Sequence, residues 1–207
     1  MKGLKMSTPE TLLEKHGKLA SMIVGLCILS YGGIQYYKHY QGKEALKASV
    51  IYDSMFIAMQ KQDNAAVMSE AKILTEKFSK TPYAALAALM LAKLATEAND
   101  LEGAENYLHK AIKSDEQSVQ QVVKIRLARI LAARQKYEEA LNTLMSKKTP
   151  ESYVTLVEET KGDIYLLLNE KNKAREAYQI AIKAAPSGVP ITRIQLKQTE
   201  LGVKEDL

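Results

Sequence analysis

From Leu19 to Tyr37 the chain carries no charged residue, nineteen positions in a row. As a helix this stretch measures about 28 Å, close to the ~30 Å of a bilayer's hydrocarbon core. Lys15, His16 and Lys18 flank one end; Lys38 and His39 flank the other, where Tyr31, Tyr36, Tyr37 and Tyr40 crowd together. Lysines and tyrosines suit the two water interfaces of a span. Beyond residue 43 the pattern changes: apolar residues recur at helical spacing and no run of four or more alternates with period two, so the body is predicted to be helical throughout.

The apolar stretch has three readings. A retained anchor accounts for its full length. A cleaved signal peptide would use Leu19–Leu29 as its apolar core and Ser30-Tyr31-Gly32 as its cut site, but the preceding segment is eighteen residues long and holds Glu10 and Glu14. A buried core helix would be unusually long and uncharged. The anchor is preferred. A lipoprotein box fails because Leu26 precedes Cys27. Ser21, Gly25 and Gly33 share a face that would suit a seam against another membrane helix. Gly42 is the expected hinge to the body.

Three segments of the body align. Ala88-x2-Leu91-Ala92-x2-Ala95 precedes Ala104-x3-Leu108-x2-Ala111-Ile112. Leu127-Ala128-x2-Leu131 precedes Ala140-Leu141-x2-Leu144. Gly162-x2-Tyr165 precedes Ala174-x3-Tyr178-x2-Ala181-Ile182 and Pro186. The alanines Ala104, Ala140 and Ala174 are 36 and 34 residues apart. This spacing resembles the tetratricopeptide repeat, whose period is about 34. Two antiparallel helices approach closely only where small side chains meet, so Gly162 and Ala174 are expected to mark a crossing, with Ala92, Ala104, Ala128 and Ala140 as counterparts. Tyr165 and Tyr178 are expected to fill the gap toward the next unit. Asp100 is a plausible N-cap, Thr149 another with Pro150 at the first helical position, and Pro186 a helix stop.

The expected organisation is a tail over 1–18, a span over 19–37, a divergent helix pair over 43–82, about three repeats over 83–186 and a capping helix over 190–201. The cap would cover the solenoid's exposed end. Pro82 would close the divergent pair. The fold class is therefore all-α: an N-terminal single transmembrane helix followed by a tetratricopeptide-repeat-like α-solenoid.

The 207 residues carry 29 basic and 24 acidic side chains, or +5. Residues 1–40 hold five lysines against two glutamates, which leaves only +2 on the rest. The basic balance thus belongs to the ends of the apolar stretch, and no nucleic-acid partner is expected, since that calls for a clustered cationic face. One cysteine and three histidines exclude a disulfide framework and leave little for a metal. Gly-x-Ser-x-Gly and a phosphate loop are both absent from the sequence. No enzymatic activity, cofactor or metal is expected.

In this repeat class the first helices line a concave groove. By alignment its charged positions are Lys93, Arg129 and Asp163, with Glu97 and Glu159 a turn away and Leu89 and Ile125 supplying apolar area. Such a groove can orient an extended peptide; equally, these charges can be ordinary solvated ones.

The exit Gly32-Gly33-Ile34-Gln35-Tyr36-Tyr37, the run Lys124-Ile125-Arg126-Leu127-Ala128-Arg129-Ile130 and the stretch Lys161-Gly162-Asp163-Ile164-Tyr165, together with the architecture, resemble the bacterial ancillary SecYEG translocon subunit family (YfgM-like). The resemblance implies a single-pass inner-membrane protein with its repeats in the periplasm. It also implies partners: Sec translocon subunits, a periplasmic membrane-anchored prolyl isomerase or chaperone, exported polypeptide clients and membrane lipid. Lysines near the stretch number four before it and three after, so charge alone barely sets the topology. A cytoplasm-facing scaffold for assembling a membrane complex stays open, as does a secreted adaptor released by cleavage.

Overall fold

A computed structural model describes residues 9–112, 116–145 and 149–202, without the side chains of residues 9–20, 37 and 38. Nine α-helices are found among the described residues: α1 (Pro9–Gln60), α2 (Asn64–Lys77), α3 (Pro82–Glu97), α4 (Leu101–Ala111), α5 (Gln117–Ala133), α6 (Tyr137–Met145), α7 (Glu151–Leu167), α8 (Lys171–Ala184) and α9 (Thr192–Gly202). The chain divides into two compact units, residues 1–46 and 47–207.

In the first unit Met22, Ile23, Val24, Leu26, Ile28, Leu29, Tyr31, Ile34 and Tyr36 are all exposed. Among the described residues, however, no helix is long and apolar enough to cross a membrane. The expected span over 19–37 takes in residues 19, 20 and 37, whose side chains lie outside the description. The side chains of Lys15, Lys18, Leu19, Ala20, Tyr37 and Lys38 lie outside the description, as do residues 1–8 of the expected tail. A side chain added at Gly25 or Gly33 would meet nothing within 4 Å among the described residues. Gly42, the expected hinge, lies inside α1.

The second unit is a stack of helix pairs, and four turns set its register. Gln62, Asn99, Gln135 and Asn169 all adopt the left-handed conformation, with φ of 58°, 59°, 63° and 61°. After each, a backbone N–H reaches back five residues: Asp63 to Ala58, Asp100 to Ala95, Lys136 to Leu131 and Glu170 to Tyr165, at 2.8–3.0 Å. This pattern satisfies carbonyls at the end of one helix while turning the chain into the next. Asp63 and Asp100 then cap α2 and α4, each accepting from a backbone N–H three residues on, at 3.0 and 2.8 Å. Some boundaries differ from the sequence reading. Pro150 rather than Thr149 is the N-cap of α7, and Pro82 opens α3 instead of closing α2.

Counted from these turns, the crossing positions follow a rule of size. Seven residues before and nine residues after each left-handed residue stand Met55 and Ala71, Ala92 and Leu108, Ala128 and Leu144, and Gly162 and Tyr178. All but Gly162 belong to the buried apolar core, and each of the first three pairs shares a single core cluster. Where one position grows, the other shrinks, which keeps the packed volume roughly constant. The last pair is the extreme case. A Cβ on Gly162 would collide with Tyr178 Cε1 and stand 2.6 Å from Cδ1. Tyr178 therefore packs within its own pair as well as toward α9, where it meets Ile194 and Leu201. Tyr165 is only half-buried, at the border of two core clusters.

Size compensation makes a specific forecast. Gly162→Leu, and to a lesser degree Gly162→Ala, should destabilise the body by about 1–3 kcal/mol through overpacking. Combining Gly162→Ala with Tyr178→Leu recreates the Ala/Leu pair of the two preceding units, and should cost clearly less than the two single changes summed. Urea denaturation of all four proteins checks this; strict additivity would overturn it.

Candidate functional site

The first helices of the repeats, α3, α5 and α7, carry the sequence-predicted groove residues. Their side chains meet different fates. Lys93 and Glu97 are exposed and face each other across one turn of α3 at 3.6 Å. Arg129 is exposed on α5, and its Nη2 donates to Thr160 Oγ1 on α7 at 3.2 Å. Leu89 and Ile125 are buried in the core and line no open groove.

Glu159 and Asp163 are taken up inside the chain. Glu159 is only 2% exposed. Arg193 Nη2 donates to its Oε2 at 2.8 Å and Lys197 Nζ to its Oε1 at 3.1 Å. Lys197 also donates to both Asp163 oxygens, at 2.7 and 2.9 Å. The Tyr178 hydroxyl donates to Asp163 Oδ1 at 2.7 Å. Burial, reinforced by this bond and the nearby carboxylates, raises the Tyr178 pKa well above its ordinary value, so the phenol stays a donor. Both cations come from α9. Lys197 sits 34 residues after Asp163, so α9 occupies the register of a further first helix. Ile194 and Leu201 join Tyr178 in its apolar contact, and Arg175 Nη2 on α8 donates to the Leu201 carbonyl at 3.1 Å.

A second buried glutamate, missed in the sequence, works the same way two units earlier. Glu105 on α4 receives Arg134 Nη1 at 2.5 Å and Lys136 Nζ at 2.8 Å, both from the turn after α5. Burial alone would raise the Glu105 pKa. The hydrogen bonds from Lys136 and Arg134, with their charges, outweigh it and hold the pKa below the usual 4.5. The only sequence signal was a charge beside the packing residue Ala104, which any solvated helix face also shows.

The packing residues Ala92, Ala104, Ala128, Ala140, Gly162, Ala174 and Tyr178 all lie buried, between helices rather than on the open face.

Two outcomes follow. A lowered folded pKa means that the stabilisation from Glu105 is fully present above about pH 4.5 and disappears as pH falls through the folded value. The gap in melting temperature between the protein and its Glu105→Gln variant should therefore be largest near neutrality and shrink as the pH falls below the usual carboxylate range. A constant gap would refute this. Arg193→Met with Lys197→Met leaves Glu159 buried without its cations and should cost about 3 kcal/mol, with loss of hydrogen-exchange protection in α9. An unchanged urea midpoint would contradict it.

A tetratricopeptide repeat-like domain model matches residues 11–203. Three curated relatives are named ancillary SecYEG translocon subunit. The Escherichia coli protein is 26% identical over 190 residues, covering 91% of both chains. That of Haemophilus influenzae is 30% identical over 163 residues, 77% of this chain and 79% of the relative. That of Neisseria gonorrhoeae is 27% identical over 174 residues, 82% of each. No solved structure matches. A helical stack in repeat register, matched from one end to the other, makes this chain a member of the ancillary SecYEG translocon subunit family, with a tetratricopeptide repeat-like domain.

Proposed function

We propose that the protein is an accessory subunit of the Sec translocon, a non-enzymatic interaction module that docks other polypeptides at the export site. The observation that carries this is the match of nearly the whole chain to relatives named for that role. The helical stack supports it physically, because first helices in register offer a long face for extended chains.

In the same proposal, the exposed apolar side chains between Met22 and Tyr36 are the contact with the inner membrane. The chain would cross once, with the repeats on the periplasmic side. Exposed apolar groups in such number are unfavourable in water and favourable in lipid. The partners proposed there are translocon subunits, a membrane-anchored prolyl isomerase or chaperone, and exported clients. The near-even lysine count about the apolar stretch supports a second reading, a cytoplasm-facing scaffold.

Solubilised membranes carrying the tagged full chain should yield translocon subunits on affinity purification, and carbonate should leave the chain in the membrane pellet. Recovery of no translocon subunit would overturn the role. A C-terminal alkaline phosphatase fusion should be active; activity only in a cytoplasm-restricted reporter would establish the scaffold instead.

A further inference from the structure

Positions 13, 9, 6 and 2 residues before each left-handed turn fall on one face of the preceding first helix, since they are spaced by four, three and four. On α3 this stripe includes Met90, Lys93 and Glu97; on α5, Val122, Arg126 and Arg129; on α7, Leu156 and Asp163. The charges on it are unevenly compensated. Glu97 pairs with Lys93. Asp163, and Glu159 just beneath, are neutralised by Lys197 and Arg193.

The two guanidiniums of α5 have no such partner. Arg126 is exposed and, among the described residues, makes no hydrogen bond or ion pair; Arg129 has only the neutral Thr160 hydroxyl. They stand one turn apart on the same face, where like charges repel. By engaging the carboxylates of α7, α9 removes the negative groups that would otherwise offset them. The stripe is left cationic at its centre, with the exposed Leu156 beside it in repeat register.

We propose that this face receives an acidic, extended segment of a partner polypeptide, with its carboxylates on Arg126 and Arg129 and an apolar side chain on Leu156. The proposal rests on the interaction-module reading and names the chemistry of the occupant. A planar guanidinium forks two parallel bonds to a carboxylate, which gives direction as well as attraction. Phosphate offers similar geometry, but on α3, α5 and α7 the stripe shows no exposed aromatic side chain on which bases would stack.

The test uses the full chain in detergent micelles. Its probes are a fluorescent peptide of Glu-Leu-Ser units, the same peptide with Lys for Glu, and an oligothymidylate. The acidic peptide should bind about tenfold more tightly than the basic one, and less tightly as salt rises. Arg126→Glu with Arg129→Glu should abolish that preference with unchanged helical circular dichroism, both side chains being exposed. Equal affinity for the two peptides, an unaffected double variant, or tighter binding of the oligonucleotide would each overturn the proposal. Translocon recovery is scored separately on the same preparation. Subunits recovered without an acidic preference refute this inference alone; an acidic preference without subunits refutes the translocon role alone.

Discussion

Two helices within a pair can lie only as close as the side chains between them permit, and the body of this protein is organised around that constraint. At each crossing the bulk allowed on one helix is withdrawn from the other, from Met55 with Ala71 to Gly162 with Tyr178. Interiors packed at crystal-like density tolerate such exchange because it conserves volume. The spacing between helices can then stay similar from pair to pair while the sequence varies.

The turns serve the same end by other means. Gln62, Asn99, Gln135 and Asn169 hold a backbone conformation that disfavours side chains with a Cβ, by roughly 1–2 kcal/mol each. None of the four is glycine. The conformation persists because the carbonyls and amides around it are satisfied by the reach-back hydrogen bonds and because the helices on both sides are packed. Each turn therefore sets which face of the next helix meets the core.

Stacking of one pair on the next adds a polar element to the apolar one. Glu105 and Glu159 each sit buried and accept from two cations carried by the next unit of the stack. A buried carboxylate without its cations is costly, so these clusters disfavour misplaced neighbours. At the end of the stack the device has a further effect: α9 closes the core over Tyr178 and also takes the carboxylates of α7 out of the open face. What remains on that face is the charge of α5.

The helical class, the repeat period and the alanines and glycine at the crossings were legible in the residues alone, because periodicity and side-chain size are local properties. The first pair was harder to read, since Met55 and Val67 stand where later pairs carry small residues. The charged positions illustrate the opposite case. Lys93, Arg129 and Asp163 occupy equivalent positions along the chain, yet Lys93 and Arg129 are exposed while Asp163 is half-buried. The difference comes from α9, whose Lys197 lies 34 residues away in sequence and meets Asp163 only when the last helix stacks. Spacing along a helix determines which side chains share a face. Whether that face is open or covered depends on the element that packs against it, and only the tertiary structure decides this.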